Sequence, residues 1–353
     1  MIDIANQFKI ESAAEVVEEY GAGHINQTYL VICRNKTKYI LQKINHKTFP
    51  NVDELMKNIC GVTQYIAKSN EGDPTAENLL VVPTLQGNSY LYFNEGYYRM
   101  YTFLSGQTVD TGATLKQFEL AGRAFGQFQL LLDGYPAENL FEPIKDFHNT
   151  VQRFRNLEKA IEQDVCGRVA QCGQEIQFYH DRQSYCSKVL DMISNGEMPL
   201  RVTHNDTKPN NVLVDEEHDK VVGVIDLDTI MPGSILYDFG DSIRYGANTA
   251  VEDERDLSKV SFSQQYYEAY CRGFLPEVKD RLTQCEKDNM YFGAMLMTYE
   301  CGMRFLTDHL NGDTYFRIHR ENHNLDRCHT QMKLLQDMEN NVEVMKNIAK
   351  KYL

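Results

Sequence analysis

The hydrophobic pattern changes period once along this chain, and that change limits the folds open to it. Up to about residue 102 the apolar residues recur mostly at strand spacing; from Thr114 onward they recur mostly at helical spacing. Val16–Tyr20, Thr28–Cys33 and Lys38–Ile44 read as short strands, the first two joined by the loop GAGHINQ. Leu55, Ile59, Val62 and Ile66 mark one helix, over Asp53–Ser69. Leu79–Val82 and SYLYFNEGYYRMYTF then predict strands, the latter a hairpin turning at Asn94-Glu95-Gly96. Beyond a connector near Tyr101–Gly106, Leu115, Phe118, Phe125, Phe128 and Leu132 mark a long helix ending near Gly134. Helical texture continues to the C-terminus, except at Leu200–Ile230, which alternates like a hairpin. The expected architecture is therefore α+β: a β-rich lobe over residues 1–102 and a mainly helical lobe over residues 103–353.

The 353 residues suit two packed lobes better than one core. A net charge of −14 without a long basic run disfavours nucleic acid and anionic membranes as partners. It also repels polyanionic small molecules, so a nucleotide site must be locally cationic or rich in backbone N–H groups. The nine cysteines are scattered with no CxxC pair, which reads as reduced thiols in a cytoplasmic protein. The acidic N-terminal segment does not read as a signal peptide, and no stretch is long and apolar enough to span a membrane.

Chemistry concentrates in Thr203-His204-Asn205-Asp206-Thr207-Lys208-Pro209-Asn210-Asn211. The spacing H-x-D-x-x-x-x-N is that of kinase catalytic loops. Phosphoryl transfer needs a carboxylate that orients the attacking hydroxyl and takes its proton, a task suited to Asp206. It also needs oxygen ligands for Mg²⁺. Asn211 suits that role, because NVLVD and KVVGVI flank the turn EEHD as an antiparallel hairpin. With the turn centred between Glu217 and His218, Asn211 lies opposite Val224. Asp226, just past the second strand, then falls within reach of the same cation, since strands lie about 4.8 Å apart. Asp238-Phe239-Gly240 spells DFG, but it lies beyond the strand end, so Asp238 is expected to brace the catalytic-loop backbone instead. Asp228 is either a further carboxylate of the site or a turn residue.

Other signals are weaker. Gly21, Gly23, His24 and Asn26 lie in a loop between two strands, where glycines let the backbone approach ATP phosphates closely. Lys43 is the candidate cation for those phosphates, although Gln42 may hold the nucleotide-facing position, because neighbours on a strand face opposite ways. Asp53 or Glu54 is the expected acidic partner. Tyr101 to Phe103 would form the adenine-binding hinge. His319 and His323 lack the HExxH order and a third ligand, and read as a helical surface.

The segments GAGHINQTYL, YILQKIN, RVTHNDTKPNNVLV, VIDLDTIMPGSILYDFGDSIR and ECGMRFLTDHLNGDTYF resemble N-acetylhexosamine 1-kinases of the aminoglycoside and choline phosphotransferase superfamily. The likeness spans about residues 20–330. It implies a two-lobed, protein-kinase-like fold and transfer of the ATP γ-phosphate, with Mg²⁺, to the anomeric hydroxyl of N-acetylglucosamine or N-acetylgalactosamine. It carries over Asp206 as base, Asn211 and Asp226 as metal ligands, and Arg304 and Tyr315 as lining of the sugar pocket. Without the resemblance, Arg304 reads as an ion-pair partner of Asp308 at i+4. Kinases of choline, homoserine or methylthioribose and a nucleotide-binding pseudokinase are the competing readings.

Overall fold

The computed structural model describes residues 1–353 apart from 22–24 and 110–111. The chain opens with one helical turn, α1 (Ile2–Ala5), followed by strands β1 (Ala14–Glu19), β2 (Gln27–Cys33) and β3 (Lys38–Ile44). Helix α2 (Val52–Ser69) leads to β4 (Val81–Val82), β5 (Leu91–Phe93) and β6 (Gly96–Thr102). These strands form one antiparallel sheet in the order β1-β2-β3-β6-β4, with β5 paired to β6. The Asn94–Glu95 turn places both residues at positive φ, 46° and 59°, the handedness that matches the twist of a two-residue hairpin.

Alternation along β3 gives the sheet two different faces. Tyr39 and Leu41 join Val31, Tyr98 and Met100 in an outer core that Ile4, Ala5 and Phe8 close over. Ile40 and Ile44 point the other way, into the main core with the buried stripe of α2. The Asn51 side chain caps α2 by accepting from Glu54 N.

Strand pairing changes partner after Thr102. The next strand, β7 (Gln107–Thr108), pairs with β9 (Val212–Asp215) rather than with the N-terminal sheet. Helices α3 (Leu115–Leu131), α4 (Thr150–Gln163), α5 (Gly173–Asp181) and α6 (Tyr185–Ser194) come between. β8 (Arg201–Thr203) pairs with β11 (Met231–Gly233), while β9 pairs with β10 (Lys220–Val224). The alternating stretch 200–230 is thus two separate ladders. Helices α7 (Ile235–Gly246), α8 (Gln264–Val278), α9 (Gln284–Leu310), α10 (His323–Asn340) and α11 (Val342–Lys350) complete the fold. No described helix is long and apolar enough to cross a membrane.

Helix α9 is the central element of the C-terminal part, and its start is doubly secured. Thr283 and Glu286 form a capping box. The buried Glu286 carboxylate also takes Arg201 Nε at 2.6 Å, tying α9 to β8. Further along, α7 crosses α9 almost backbone to backbone. A Cβ on Gly240 would lie 2.2 Å from Gly293 O, and one on Gly293 would lie 2.4 Å from Leu236 O. The glycine of the DFG triplet therefore serves helix packing. We predict that Gly240→Ala or Gly293→Ala destabilises the protein by about 1–3 kcal/mol through overpacking. Thermal unfolding checks this, and an unshifted midpoint in both variants would show that the helices are not in such close contact.

Candidate active site

The loop that carries Asp206 leaves β8 at Thr203 and is held by a buried carboxylate. Asp238, in the first turn of α7, is fully buried. Its Oδ2 accepts from His204 N at 2.9 Å and from Gln129 Nε2 at 2.7 Å; its Oδ1 accepts from Asn205 N at 2.8 Å. Burial pushes the Asp238 pKa up, and these donors, with the nearby His204, oppose that rise. Thr207 Oγ1 donates to Asp238 O at 2.6 Å and Thr229 Oγ1 to His204 O at 2.6 Å. Asp238 braces the loop backbone, as expected from its place beyond the hairpin.

His204 is a structural group. Its Nε2 lies 2.9 Å from Ile225 O and its Nδ1 3.3 Å from Asp206 N. A carbonyl only accepts and an amide only donates, so the ring is the Nε2–H tautomer. Phe125 and Phe128 pack edge-on against it. These bonds tie the loop to the end of β10 and fix the backbone at Asp206, two residues on. Asn205 takes φ 65° to make that turn.

Both carboxylate oxygens of Asp206 are oriented. Lys208 Nζ lies 2.9 Å from Oδ1, and Asn211 Nδ2 donates to Oδ2 at 3.1 Å and to Asp206 O at 2.8 Å. Burial disfavours the Lys208 charge, but Asp206, Asp241 and Asp226 outweigh it and raise the Lys208 pKa. The Asn211 amide nitrogen is thus engaged, leaving its Oδ1 as the atom suited to a cation. Ile225 N donates to Asn211 O at 2.9 Å. Asn211 therefore faces Ile225 rather than Val224. The register slips by one because the ladder is irregular between Val221 and Gly223. That slip brings Asp226 directly beside Asn211.

Asp226 itself sits at φ 62° and is open to solvent from the cleft. Desolvation by the surrounding protein, then the charges of Asp228 and Asp206, push its carboxyl up to about 6. The Asp226 carboxylate and the free amide oxygen of Asn211 are ligand types that suit a hard divalent cation, which takes its remaining ligands from phosphate and water.

On the sheet side the structure corrects the expected phosphate contact. Lys43 alternates with Leu41 onto the outer face, where its Cε lies close over Gly96. Gln42 faces inward, and its Oε1 accepts from Arg99 Nε at 3.0 Å and Nη2 at 2.8 Å. Arg99, absent from the sequence expectations, is the buried cation of this region. It forms an ion pair with Asp228, the two side chains being 1% and 3% exposed. Burial works against the Arg99 charge, and Asp228 overcomes it and raises the pKa. Asp228 is therefore a buried ion-pair partner and not a turn residue. Of the two acidic residues expected beside Lys43, Asp53 accepts from Tyr90 Oη at 2.9 Å, and neither forms an ion pair with Lys43 among the described residues.

Asn26 is engaged at both ends: its Nδ2 donates to Asp228 Oδ2 at 2.5 Å and its Oδ1 accepts from Asn45 N at 2.9 Å. It ties the end of the glycine loop to the ion pair. Gly21 has φ 74° and open space where a Cβ would stand, so conformation, not crowding, calls for glycine. Gly23 and His24 lie outside the described residues. Tyr101 pairs within the sheet with both Ile40 and Val81, so its backbone is engaged, whereas Phe103 follows the last ladder residue, Thr102. Phe103 packs edge-on against Tyr20.

Arg304 and Tyr315 come together elsewhere. They line a cavity of about 320 Å³ between α4 and α9, whose walls do not include Asp206, Asn211 or Asp226. A larger cavity, about 520 Å³, lies behind the connector between α2, α3 and the β9–β10 hairpin and holds none of the expected site residues. Arg304 is not paired with Asp308. Asp308 accepts instead from the backbone N–H groups of Thr314, Tyr315 and Phe316 and from Asn324 Nδ2. The Arg304 guanidinium lies 5.2–5.9 Å from the rings of Phe147, Phe316 and Tyr315. His148 Nδ1 and Glu300 Oε1 lie 2.7 Å apart; burial works against the Glu300 charge, and the charges of His148 and Arg304 help hold its carboxyl below its ordinary range. His319 and His323 do not form a helical surface: His323 is buried at the start of α10 with Nε2 2.9 Å from Asp253.

A model of the phosphotransferase enzyme family matches residues 16–281, a span that holds Asp206, Asn211, Asp226 and Arg99 and stops short of Arg304 and Tyr315. Solved structures share the fold. An aminoglycoside phosphotransferase from Alicyclobacillus acidocaldarius superposes with a TM-score of 0.62 at 10% identity, covering 99% of this chain and 96% of that one. An ethanolamine kinase from Plasmodium vivax gives 0.58 at 13% identity, covering 94% and 84%. A choline kinase from Cryptosporidium parvum gives 0.57 at 14% identity, covering 99% and 98%.

The Arg99–Asp228 pair can be tested on its own. Arg99→Met strands a buried carboxylate and should cost about 3–5 kcal/mol, while Arg99→Met with Asp228→Leu should recover much of that loss. Denaturant unfolding of the three proteins reads the cycle, and a double variant no more stable than Arg99→Met would mean the two charges do not compensate each other.

Proposed function

The chain belongs to the phosphotransferase enzyme family, and we propose that within it the protein is an ATP- and Mg²⁺-dependent kinase acting on the anomeric hydroxyl of an N-acetylhexosamine. The observation that carries the kinase part is the geometry of Asp206. Its carboxylate is held by Lys208 and Asn211 on a braced loop, beside Asp226 at the hairpin end. A carboxylate has about four lone-pair positions. Two contacts from the protein leave room for the acceptor hydroxyl, which Asp206 orients and whose proton it takes. Asn211 Oδ1 and Asp226 would hold the divalent cation, which supplies positive charge to the phosphates of ATP. An anomeric hydroxyl is more acidic than an ordinary alcohol, so a carboxylate oriented by Lys208 and Asn211 is a sufficient base.

The sugar part rests on the resemblance of GHIN and of the Arg304–Tyr315 segment, and one observation favours it over choline. A quaternary ammonium needs an empty aromatic cage. The aromatic cluster here, Phe147, Tyr315 and Phe316, already surrounds the protein's own cation, Arg304. Arg304 and Tyr315 would instead offer a directional donor and a ring to a sugar.

The test is ADP release with Mg-ATP and a panel of N-acetylglucosamine, N-acetylgalactosamine, glucose, galactose, choline, homoserine and methylthioribose. Turnover on the N-acetyl sugars with loss of reducing-end reactivity is the expected result; turnover on choline alone would replace the sugar assignment. Asp206→Ala should lose roughly a hundred- to ten-thousand-fold in turnover while keeping ATP binding. Asp226→Ala should weaken Mg-ATP binding, and chelation of divalent cations should stop turnover in the wild type. Near-full activity in Asp206→Ala would remove the assigned base.

A further inference from the structure

Helices α4 and α9 lie against each other, yet they leave the 320 Å³ groove open between them. Both line it with polar residues. Arg153, Asn156 and Gln163 recur at three and seven along α4, and Arg304 heads the matching stripe on α9. Apolar residues at these positions would close the gap by burial. Cations hold it open instead: Arg153, Lys159 and Arg304 all face the groove.

None of the three has a carboxylate within ion-pair distance among the described residues. Arg153 donates from Nε and Nη2 to Phe147 O, at 3.1 and 2.9 Å. The carboxylate in the groove wall, Asp308, is taken up by three backbone N–H groups and Asn324. Glu300 acts on Arg153 only from a distance, being bonded to His148 and Thr150. Desolvation first and the charge of Arg304 second pull the Arg153 pKa below its ordinary value. Unpaired like charges brought together beside a cavity, in a chain of net charge −14, are relieved by a bound anion.

We propose that this groove binds a phosphorylated sugar, with its phosphate among Arg153, Lys159 and Arg304 and its ring against the exposed face of Tyr315. Guanidinium forks match phosphate oxygens two at a time, and two such forks with a lysine suit a dianion. Tyr315 is 63% exposed and offers a ring platform at the mouth. The phosphate part stands on the cations; the sugar part rests on the kinase reading above. Because Arg304 and Tyr315 are shared with the proposed acceptor, a sugar phosphate bound here excludes the acceptor, which makes the groove a site of product feedback.

Titration calorimetry on the full chain without nucleotide tests this. The probes are N-acetylglucosamine 1-phosphate, inorganic phosphate and N-acetylglucosamine. The proteins are the wild type, Arg153→Gln with Lys159→Gln, and the exposed charge reversal Lys159→Glu, whose position on the surface spares the fold. The sugar phosphate should bind the wild type and bind both variants at least about tenfold more weakly, with neutral-sugar affinity unchanged. No binding of the sugar phosphate, or equal binding in wild type and Lys159→Glu, overturns the site. Inorganic phosphate binding as tightly as the sugar phosphate overturns the part given to Tyr315. Turnover on the N-acetyl sugars is measured separately: anion binding without that turnover keeps the groove and removes the N-acetylhexosamine reading, and turnover without anion binding does the reverse.

Discussion

The site depends on one buried carboxylate. Asp238 collects the amide N–H groups of His204 and Asn205 and the side chain of Gln129, so three segments distant in sequence meet at two oxygen atoms. A charge placed there without those donors would be a large penalty, and with them it dictates the path of the loop. Asp238 is itself placed by the close crossing of α7 over α9, which only glycine at 240 and 293 allows. The direction of Asp206 is thus set by helix packing on the far side of the loop. Mutational effects at Gly240 and at Asp206 should be read as one chain of positions.

A second buried interaction couples the sheet to this platform. Arg99 on β6 reaches Asp228, two residues past Asp226, and Gln42 on β3 orients the guanidinium from the side. Asn26 joins the same carboxylate from the end of the glycine loop. The proposed cation-holding turn is therefore fixed from the sheet as well as from the helices. Buried ion pairs contribute little net stability, because desolvation offsets attraction. Their effect here is geometric: any displacement of the sheet from the turn would expose unpaired charge in a dry environment.

The acidic surface and the two cationic places complement each other. Near Asp206 and Asp226, Lys208 and Arg99 are each matched to carboxylates. In the α4–α9 groove the cations are unmatched. A matched cation orients its partner; an unmatched one attracts a ligand. The fold uses the first arrangement around Asp206 and the second in the groove lined by Arg304.

Much of the fold was legible from periodicity. β3 and α2 follow directly from alternation and from the 55-59-62-66 spacing, because burial of one face is a local property of the pattern. The H-x-D-x-x-x-x-N spacing likewise brought Asp206 and Asn211 together, since the four residues between them form a short turn that lets the Asn211 amide bond back to Asp206. Tertiary structure decided what depends on partners far along the chain. The irregularity between Val221 and Gly223 moved Asn211 by one rung, a matter of ladder geometry that composition does not encode. Lys43 carried the charge expected of a phosphate ligand, yet strand parity turned it outward and gave the inner face to Gln42 and Arg99. Arg99 gave no local signal, because a strand arginine is recognisable as buried only when Asp228, 129 positions later, is beside it. Arg304 and Asp308 have the i,i+4 spacing of a pair, but the turn that follows offers Asp308 three backbone N–H groups and takes it away. The sequence by itself determined the elements and the Asp206–Asn211 loop, whose causes lie within a few residues; the tertiary structure alone decided which charges meet, because buried charges choose partners by proximity in space.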